Sequence, residues 1–546
     1  MKSLLSLLLF ISISVSSQTT KNEAEKIASF CQIWGFLKYY HPVVAKGSCD
    51  WNLEFRTRLK DIMPLHTRQE LSNYYVNWIL SMGKLKTCTS CINDVADSLK
   101  FNVDERWMDN ELFNVELEDM LVSIQNNRFQ GEHYYVKYNG QYQHNVKLLH
   151  EEAYKDSVFP SAELRLLGLA HYWNVVNYFF PYKYKIGSDW KLILEEMIPK
   201  YRDAKDTMAY HLAMLETVAK INDSHANFVT EYTNRYFGYK WAPFKFKLID
   251  NKAIVTGFYN EVMCRQNDIC YGDVFLTVDG KSIKDIIKKQ WNYVPASNDP
   301  VKLRKMYFVI FNGQSDSVKV SFERNNTIYE KMLYRYEYKQ FNVSKVNKDT
   351  TYKIIPGNIG YVNMGVLERN EVHKMMAALE HTKAIIFDLR NYPNGTLYDI
   401  AFYLNSESKP FAAFREPDLN YPGVYKYTTP YYCGSDNKKA YKGKVVLLFN
   451  ETTQSHSEFT AMVLQTAPNV ISIGSQTSGA DGDVSYIVFP GNYSTAMTGI
   501  GVYYPDGRET QRIGIVPDIE VKPTIEGIRA KKDEVLEKAV EIINGK

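Results

Sequence analysis

Residues 447–458 read Leu447-Leu-Phe-Asn-Glu-Thr-Thr-Gln-Ser-His-Ser-Glu458, and they are the most informative segment for the C-terminal part of the 546-residue chain. It begins as an apolar run typical of a buried strand, and the residues from Phe459 to Leu464 that follow have the pattern of a helix. A strand that runs directly into a helix is typical of a βαβ body with a parallel sheet. Ser455 falls at the junction, where helix N–H groups can stabilise negative charge. Taken alone, Ser455 or Ser457 could equally be a helix cap.

The sequence around this junction repeats the same alternation of strands and helices. Apolar runs predict further strands, and helical patterns lie between them: strands at Ile359–Met364, Ala384–Leu389 and Val470–Gly474, and helices at Arg369–Glu380, Tyr398–Asn405 and Ser457–Thr466. Active residues of such sheets collect where strands end. Two strand ends carry suitable loops, the Pro/Asn/Gly turn that ends at Gly395 and the glycine-rich loop Gly474–Asp483.

The region before this body has a β pattern of its own. Short β-runs lie at Lys245–Ile249, Ala253–Phe258, Val274–Val278 and Val318–Phe322. The stretch from Tyr271 to Ile283 places a strand between two Gly turns and then a helix start, which resembles a PDZ domain, whose edge strand binds peptides by β-augmentation. Ala242-Pro-Phe244 stands roughly where PDZ domains have a carboxylate-binding loop, so a spacer without a ligand is the alternative.

The first residues predict export. Lys2, the apolar run Leu4–Val15 and the small residues Ser16 and Ser17 are typical of a secretory signal peptide cleaved after Ser17. The sequence does not separate a periplasmic from a secreted protein. The net charge of +3 and the lack of a Lys/Arg run exclude the nucleic-acid-binding class.

A weak internal repeat lies in the N-terminal half. At one constant spacing, Trp34, Tyr39, Pro42, Asp50 and Trp51 recur as Trp173, Tyr178, Pro181, Asp189 and Trp190. Each copy has the pattern of an aromatic helix that ends near Pro, followed by an Asp-Trp helix start. The repeat therefore predicts two similar helical hairpins.

The seven cysteines are compatible with disulfides in an exported chain. Cys88 and Cys91 predict a local structural disulfide, and Cys264 with Cys270 is a second candidate pair. The odd number leaves at least one free thiol, which we expect to be buried. The Cys-x-x-Cys segment has no second Cys or His pair to complete a zinc site, so no metal is expected.

Three of these segments together are much more specific than any one of them. The chain resembles the tail-specific, or C-terminal processing, serine protease family, which shares a catalytic core with tricorn protease. Residues Asp388–Gly395 match the family's Asp-Leu-Arg-x-x-Pro-Gly-Gly segment, and Ser455-His-Ser-Glu458 matches its Ser-x-Ser-Glu segment. The loop Gly474–Gly479 and the segment Gly514-Ile-Val-Pro-Asp518 match two further segments of the family. The resemblance covers roughly residues 156–546 and implies that Ser455 is the nucleophile.

The resemblance also bears on the general base. The processing-protease branch has a Lys after the glycine loop, where this chain has Ala480. The tricorn-like branch uses a His that follows a Ser, and Asn222-Asp-Ser-His225 fits that pattern. His225 is therefore expected to be the base, because its unperturbed pKa suits proton transfer near neutral pH, and Ser224 is expected to orient it. The His456 side chain is expected to point away from Ser455.

The remaining catalytic groups are assigned in the same way. The backbone N–H groups of Gly395 and His456 are the expected oxyanion hole. The tricorn-like branch has a Glu just before the Gly-x-x-Pro-Asp segment; Gln511 aligns with it here, and Glu509 lies two positions earlier. Gln511 could still bind Ser224 or substrate through hydrogen bonds, or be only a surface residue.

The fold expected is a multidomain α/β protein with a βαβ catalytic core of the tail-specific protease or tricorn-core type (crotonase-like), a PDZ-like β domain and a helical N-terminal domain. The expected segments are a signal peptide at 1–17, the helical N-terminal domain at 18–155, a helical part of the catalytic body at 156–237, the PDZ-like domain at 238–340 and the core at 341–546. The expected activity is peptide-bond hydrolysis by an exported serine endopeptidase without metal or cofactor, acting on peptides or unfolded proteins. A peptide-binding protein of the same fold without turnover is the alternative, and a structural export factor is a third. The oligomeric state stays open.

Overall fold

The computed structural model describes residues 23–104, 106–109, 111–140, 144–341 and 350–545. The signal peptide predicted at residues 1–17 lies outside them. Within the described residues no helix combines the length and the apolar character needed to cross a bilayer. The chain divides into two compact units: the first contains residues up to 221 together with 415–427 and 483–500, and the second contains residues 222–414, 428–482 and those from 501 onward.

The first unit is mainly helical. Its helices cover 23–40, Trp51–Ile62, Arg68–Ser81, Val115–Asn126, Ala162–Phe179, Trp190–Arg202 and Thr207–Lys220, with 3-10 turns at Asp97–Leu99 and Lys183–Lys185. Its strands are Val136–Tyr138, Val146–Leu148, Tyr425–Tyr427, Val484–Phe489 and Tyr493–Thr498.

The internal repeat predicted from the sequence is a repeat of structure. The indole N–H of Trp34 donates to the carbonyl of Trp51 at 3.0 Å, and the indole of Trp51 donates back to the carbonyl of Trp34 at 3.0 Å. Trp173 and Trp190 make the same reciprocal pair at 2.7 and 3.0 Å. In each copy an Asp, Asp50 or Asp189, caps the second helix through its side chain. The repeat therefore encodes two helical hairpins, each closed by a tryptophan clamp.

The two hairpins contact each other through equivalent residues. The ring of Tyr39 lies 5.0 Å from that of Phe179, and the ring of Tyr40 lies 5.7 Å from that of Tyr178. Because Tyr39 corresponds to Tyr178 and Tyr40 to Phe179, these two contacts are related by a local pseudo-twofold axis.

The second unit is built on a six-stranded sheet, called here the central sheet. Its strand order is Tyr352–Ile355, Ile359–Asn363, Ala384–Asp388, Lys444–Phe449, Val470–Gly474 and Ile519–Glu520. Only the first pair is antiparallel. The register pairs Asp388 with Leu448 and Phe449 with Gly474, so three strands end at one edge of the sheet.

Alternating side chains of the central sheet enter two different cores, as the period of two in a strand requires. Phe387 and Leu447 pack under the helices Val372–Leu379, Leu397–Leu404 and His456–Leu464. Ile386 and Leu448 pack against the C-terminal helix Glu534–Ile543. Burying each such side chain contributes about 1.5–3 kcal/mol relative to leaving it in water, and coverage of both faces explains the continuous apolar runs in the sequence.

A second, antiparallel sheet, called here the insert sheet, precedes the central sheet. Its order is Phe244–Ile249, Lys252–Phe258, Val274–Val278, Ser317–Arg324 and Thr327–Tyr334, with Lys281–Ser282 beside Val274–Val278. The other helices of the second unit are Glu231–Phe237, Glu261–Gln266, Ile283–Gln290, Asp299–Lys305 and Ile525–Arg529. Its 3-10 turns are Trp291–Tyr293, Met306–Phe308, Tyr338–Phe341 and Arg369–Glu371. Its remaining strands are Lys240–Trp241, Tyr336–Glu337, Tyr431–Cys433, Gly501–Tyr503 and Lys409–Pro417, the last of which ends in the first unit.

One of the two disulfide predictions is confirmed. Cys88 and Cys91 form a disulfide. The prediction of a Cys264–Cys270 disulfide is wrong, because both thiols are free. Cys264 lies in the helix Glu261–Gln266, and its thiol donates to the carbonyl of Pro243 at 3.2 Å instead. The expectation that a free thiol is buried holds for Cys31, Cys264 and Cys433, whereas Cys49 and Cys270 are free and exposed.

Candidate active site

Ser455 occupies a strained turn between the strand Lys444–Phe449 and the helix His456–Leu464. Its φ of 56° and ψ of −125° are unusual for a residue with a side chain, and such strain persists only where surrounding contacts impose it. The Ser455 N–H donates to the carbonyl of Ala480 at 3.0 Å and to Oε2 of Glu458 at 3.1 Å. Ser455 is partly exposed.

The carboxylate of Glu458 connects the Ser455 turn to the glycine loop. Its Oε1 accepts the N–H of Gly479 at 2.8 Å and the hydroxyl of Thr477, and its Oε2 accepts the N–H of Ala480 at 3.1 Å. Burial raises the pKa of Glu458, and the hydrogen bonds from these donors oppose that rise. Glu458 therefore holds Ser455 and the loop in one fixed arrangement. The family motif gave no separate role to this residue.

The two backbone N–H groups expected to form the oxyanion hole lie in the Ser455 turn and in the turn fastened to it. Among the described residues, the N–H groups of Gly395 and His456 have no acceptor. Gly395 has a φ of 71°, and a Cβ added to it would find no atom within 4 Å, so the space on that side of its Cα is open. Hydrogen bonds from Thr452 and Ser457 to the carbonyls of Arg390 and Leu389, at 2.8 and 3.0 Å, fasten the turn that carries Gly395 to the Ser455 turn.

The Asp388-Leu-Arg390 part of the motif is structural. Arg390 bridges two carboxylates, at 2.7 Å to Asp388 and 2.8 Å to Asp533. Asp533 caps the C-terminal helix, so the ion pairs fix that helix to the sheet.

His225 lies beside a buried carboxylate that the sequence reasoning missed. Oδ1 of Asp223 accepts the backbone N–H of His225 at 3.1 Å and lies 3.9 Å from its Nδ1. The separation from Nδ1 is too long for a hydrogen bond but close enough for charge attraction to a protonated imidazole. The Asp223 side chain is fully buried, and 9% of the His225 side chain is exposed. The motif Asp-Ser-His includes this carboxylate, whereas the family resemblance gives a role to its Ser.

The described contacts of Ser224 are with Ser297 and the glycine loop. Its hydroxyl accepts the N–H of Ser297 at 2.8 Å and donates to the carbonyl of Ser478 at 3.4 Å. Its own N–H donates to the hydroxyl of Ser297 at 2.7 Å. Through these bonds, Ser224 joins the His225 turn to Ser297 and to the glycine loop.

Gln454 brings the two distant segments of the predicted site together. Its Nε2 donates to the carbonyl of Ser224 at 3.5 Å. Its Oε1 accepts from the hydroxyl of Ser478 and from Nη2 of Arg304, both at 3.1 Å. Gln454 is the neighbour of Ser455 in the chain, and Ser224 is the neighbour of His225. The His225 turn and the Ser455 turn therefore meet, as the resemblance required.

The short helix Asp299–Lys305 supplies two cations to this junction. Arg304 binds Gln454, and the ammonium of Lys305 donates to the carbonyls of Ser224 and Pro295 at 2.9 and 2.8 Å. Burial lowers the pKa of Lys305 to about 7. The sequence signalled this helix through Asn298-Asp-Pro300, a typical helix start, but nothing local indicated its partners.

Gln511 is buried rather than a surface residue, with 1% of it exposed. Its Nε2 lies 3.5 Å from Oδ1 of Asp223, so its described hydrogen bond is to Asp223 and not to Ser224. Its Oε1 has no donor among the described residues.

Glu509 pairs through its backbone with Tyr503. The His456 ring packs against Tyr392 at 6.1 Å, and burial lowers its pKa.

Comparisons with known proteins bear on the family and the fold. Residues 358–521 match the family described as Peptidase family S41. Comparison with curated proteins gives no significant match. Among solved structures, mature CPAF complexed with lactacystin is similar at a TM-score of 0.55 and 15% identity, over 70% of this chain and 99% of that chain. A putative peptidase from Parabacteroides merdae ATCC 43184 gives a TM-score of 0.44 at 16% identity, over 70% of this chain and 97% of that chain.

The CPAF likeness, at this identity, concerns the fold alone. It agrees with the multidomain α/β fold class predicted from the sequence, which is confirmed together with the helical N-terminal region. The chain thus carries a peptidase family S41 domain at residues 358–521, and the resemblance to the tail-specific serine proteases is confirmed.

Proposed function

We propose that this protein is an exported serine endopeptidase with Ser455 as nucleophile and His225 as general base. The observation that carries the proposal is the contact of Gln454 with Ser224, which joins the turns of these two residues inside a unit that contains a peptidase family domain. Export is supported by the signal-peptide pattern of residues 1–17. The substrate class, peptides or unfolded proteins, follows from the peptidase family.

The proposed reaction has two halves. Ser455 Oγ attacks the carbonyl carbon of the scissile bond, and its proton passes to His225. Asp223, whose Oδ1 lies 3.9 Å from Nδ1 of His225, stabilises the imidazolium, while the N–H groups of Gly395 and His456 stabilise the oxyanion. The C–N bond then breaks as His225 returns the proton to the leaving amine. Water, deprotonated by His225, hydrolyses the acyl-enzyme and regenerates Ser455.

The assignment of roles departs from the sequence expectation in one respect. Asp223 takes the place of Ser224 as the group beside His225. Gln511 is then a neighbour of Asp223 that carries no charge. Its hydrogen bond holds the Asp223 carboxylate in position, and it needs no direct part in proton transfer.

The test compares cleavage of denatured casein by the mature protein, Ser455→Ala, His225→Ala and Ser406→Ala. We expect the first two substitutions to reduce the rate by about 10³-fold or more. Ser406→Ala is the matched control, because Ser406 is an exposed serine of the same unit that has no part in the candidate site. Cleavage that persists in Ser455→Ala would refute the nucleophile. Binding of casein by the unsubstituted protein without cleavage would favour a peptide-binding protein of the same fold.

A further inference from the structure

A cavity of ≈ 740 Å³ lies in the first unit beside the second tryptophan clamp. It is formed by the helical hairpin of the second repeat, by the segment around Trp107 and by one residue of the first helix. The residues that line it and enter the argument are Gln32, Asp104, Asn177, Lys183, Trp173 and Trp190. None of them belongs to the candidate active site, which lies in the second unit.

The walls of this cavity are aromatic and rigid. The rings of Trp173 and Trp190 are parallel within 7°, with centroids 6.3 Å apart, and the reciprocal hydrogen bonds of the clamp hold them. Phe101 and Tyr184 form a second stacked pair at 5.4 Å. Flat aromatic surfaces of this kind bind the apolar or aromatic body of a ligand with little loss of conformational entropy.

The carboxylates at the cavity are already engaged. Asp104 receives two hydrogen bonds from Arg106, each of 2.8 Å, and Asp189 caps a helix by accepting the N–H of Lys191 at 2.9 Å. Both carboxylates act on Lys183 by charge, but neither forms an ion pair with it in the described part of the chain.

The ammonium groups of Lys183 and Lys191 have no carboxylate partner of this kind. The ammonium of Lys183 donates to two neutral acceptors, the carbonyl of Asn102 at 2.7 Å and Oδ1 of Asn177 at 2.8 Å. No ion pair joins Lys183 or Lys191 to a carboxylate of the described residues. Burial lowers the pKa of Lys183 to about 8, and the charges of Asp104 and Asp189 oppose this only in part. The cavity thus holds a desolvated cation with one N–H still available.

The buried side-chain amide of Gln32 is a second, independent observation that indicates a ligand. Gln32 lines the cavity, only 3% of it is exposed, and its Oε1 has no hydrogen-bond donor among the described residues. Leaving such a group unpaired costs about 1–3 kcal/mol, so buried polar groups are nearly always paired. A ligand with an N–H or O–H group would satisfy it.

We propose that this cavity binds an organic carboxylate with an aromatic or branched apolar body and an adjacent N–H, the chemistry of a free acylated amino acid or of the C-terminal residue of a peptide. The carboxylate pairs with Lys183, the N–H donates to Gln32 and the apolar body lies against Trp173 and Trp190. The site is independent of Ser455 and does not rest on the proposed peptidase activity.

The test is calorimetric titration of the full chain carrying Ser455→Ala, which excludes turnover of the probes. N-acetyl-phenylalanine is compared with its C-terminal amide, and N-acetyl-Ala-Ala-Phe with its amide. We expect the carboxylates to bind and the amides to bind at least tenfold more weakly. Tighter binding of the tripeptide than of the amino acid identifies a peptide C-terminus as the source, and equal binding identifies the free acid.

Two variants make the result specific. Lys183→Met is expected to weaken carboxylate binding at least tenfold, and Lys155→Met, an exposed lysine of the same unit that does not line the cavity, should leave it unchanged. If Lys183→Met does not fold, the pH dependence in the parent protein replaces it. Binding should then fall as pH rises above the point where Lys183 loses its proton. Equal binding of acids and amides, absence of binding at millimolar concentration, or indifference to both Lys183→Met and pH would overturn the proposal.

Discussion

At the scale of single residues, Glu458 does more than its place in a short motif indicates. Its two oxygens accept hydrogen bonds from Ser455, Thr477, Gly479 and Ala480, and it is fully buried. In Glu458→Gln, an NH₂ group would face two of these donors and leave them unpaired. We expect a loss of about 2–4 kcal/mol in the free energy of unfolding of the second unit. Urea unfolding, followed together with casein cleavage, measures it.

The control for this substitution is Glu261→Gln, which removes an exposed i,i+4 pair with Arg265 and should change stability by about 0.5 kcal/mol or less. Equal stability of the Glu458 and Glu261 variants would mean that the buried carboxylate does not hold the Ser455 turn.

Gln511 offers a residue-scale prediction with a definite pH dependence. In Gln511→Glu, a second carboxylate would lie about where Nε2 now contacts Asp223, at 3.5 Å. Two close carboxylates cannot both ionise cheaply, so the folded-state pKa of one rises above its unfolded value of about 4.3. The folded variant then binds more protons than the unfolded chain, and its stability falls as pH rises through the raised pKa.

The measurement is the unfolding midpoint of Gln511→Glu and of the parent protein at pH 5 and pH 8. We expect the deficit of the variant to be larger at pH 8. Glu509→Gln, two positions away, should show no such difference between the two pH values. A deficit that is equal at both would exclude close contact between residue 511 and Asp223.

At the scale of elements, the helix Asp299–Lys305 binds the two turns of the candidate site, through Arg304 to Gln454 and through Lys305 to Ser224. In Lys305→Met the carbonyls of Ser224 and Pro295 lose their common donor. Because small displacements of a catalytic group can cost about 10²-fold in rate, we expect kcat to fall by roughly that factor with little change in KM. Steady-state kinetics on a peptide substrate measures the two constants, and Lys284→Met, an exposed lysine of the neighbouring helix, is the control.

Lys305 also gives the sign of a stability change. Its pKa of about 7 in the folded protein is below the ordinary 10.5, so the unfolded chain binds more protons between those values. Stability of the parent protein should therefore gain a contribution that grows as pH rises from 7 toward 10, and Lys305→Met should lack it. Parallel stability curves for the two proteins over this range would contradict the burial of a charged Lys305.

The sequence predicted the secondary-structure elements better than it predicted the contacts between them. The strands Ala384–Asp388, Lys444–Phe449 and Val470–Gly474 follow from apolar runs, because both faces of the central sheet are covered. The prediction of a Cys264–Cys270 disulfide was wrong because closeness in sequence does not fix the distance between two thiols when one of them lies in a helix. The contacts of Gln454 and of Lys305 with Ser224 could not be predicted, since they depend on how segments that are distant in the sequence pack together.

At the scale of the whole molecule, the tryptophan repeat was visible in the sequence because the clamp needs the same residue types at the same spacing in each copy. The association of residues 415–427 and 483–500 with the first unit was not visible, because no local pattern records it. The two copies of the clamp provide a matched pair of substitutions. In Trp34→Phe the carbonyl of Trp51 loses its indole donor, and in Trp173→Phe the carbonyl of Trp190 does.

We expect these two substitutions to destabilise the first unit by a similar amount, about 0.5–1.5 kcal/mol each, because each removes one buried hydrogen bond while the carbonyl keeps its helical partner. Their effects on the cavity should differ. Only the second clamp lines it, so Trp173→Phe should weaken binding of N-acetyl-phenylalanine severalfold while Trp34→Phe leaves it unchanged. Thermal unfolding and calorimetric titration of both variants separate the two effects. If both weaken binding equally, the loss follows from general destabilisation and the second clamp has no direct role in the cavity.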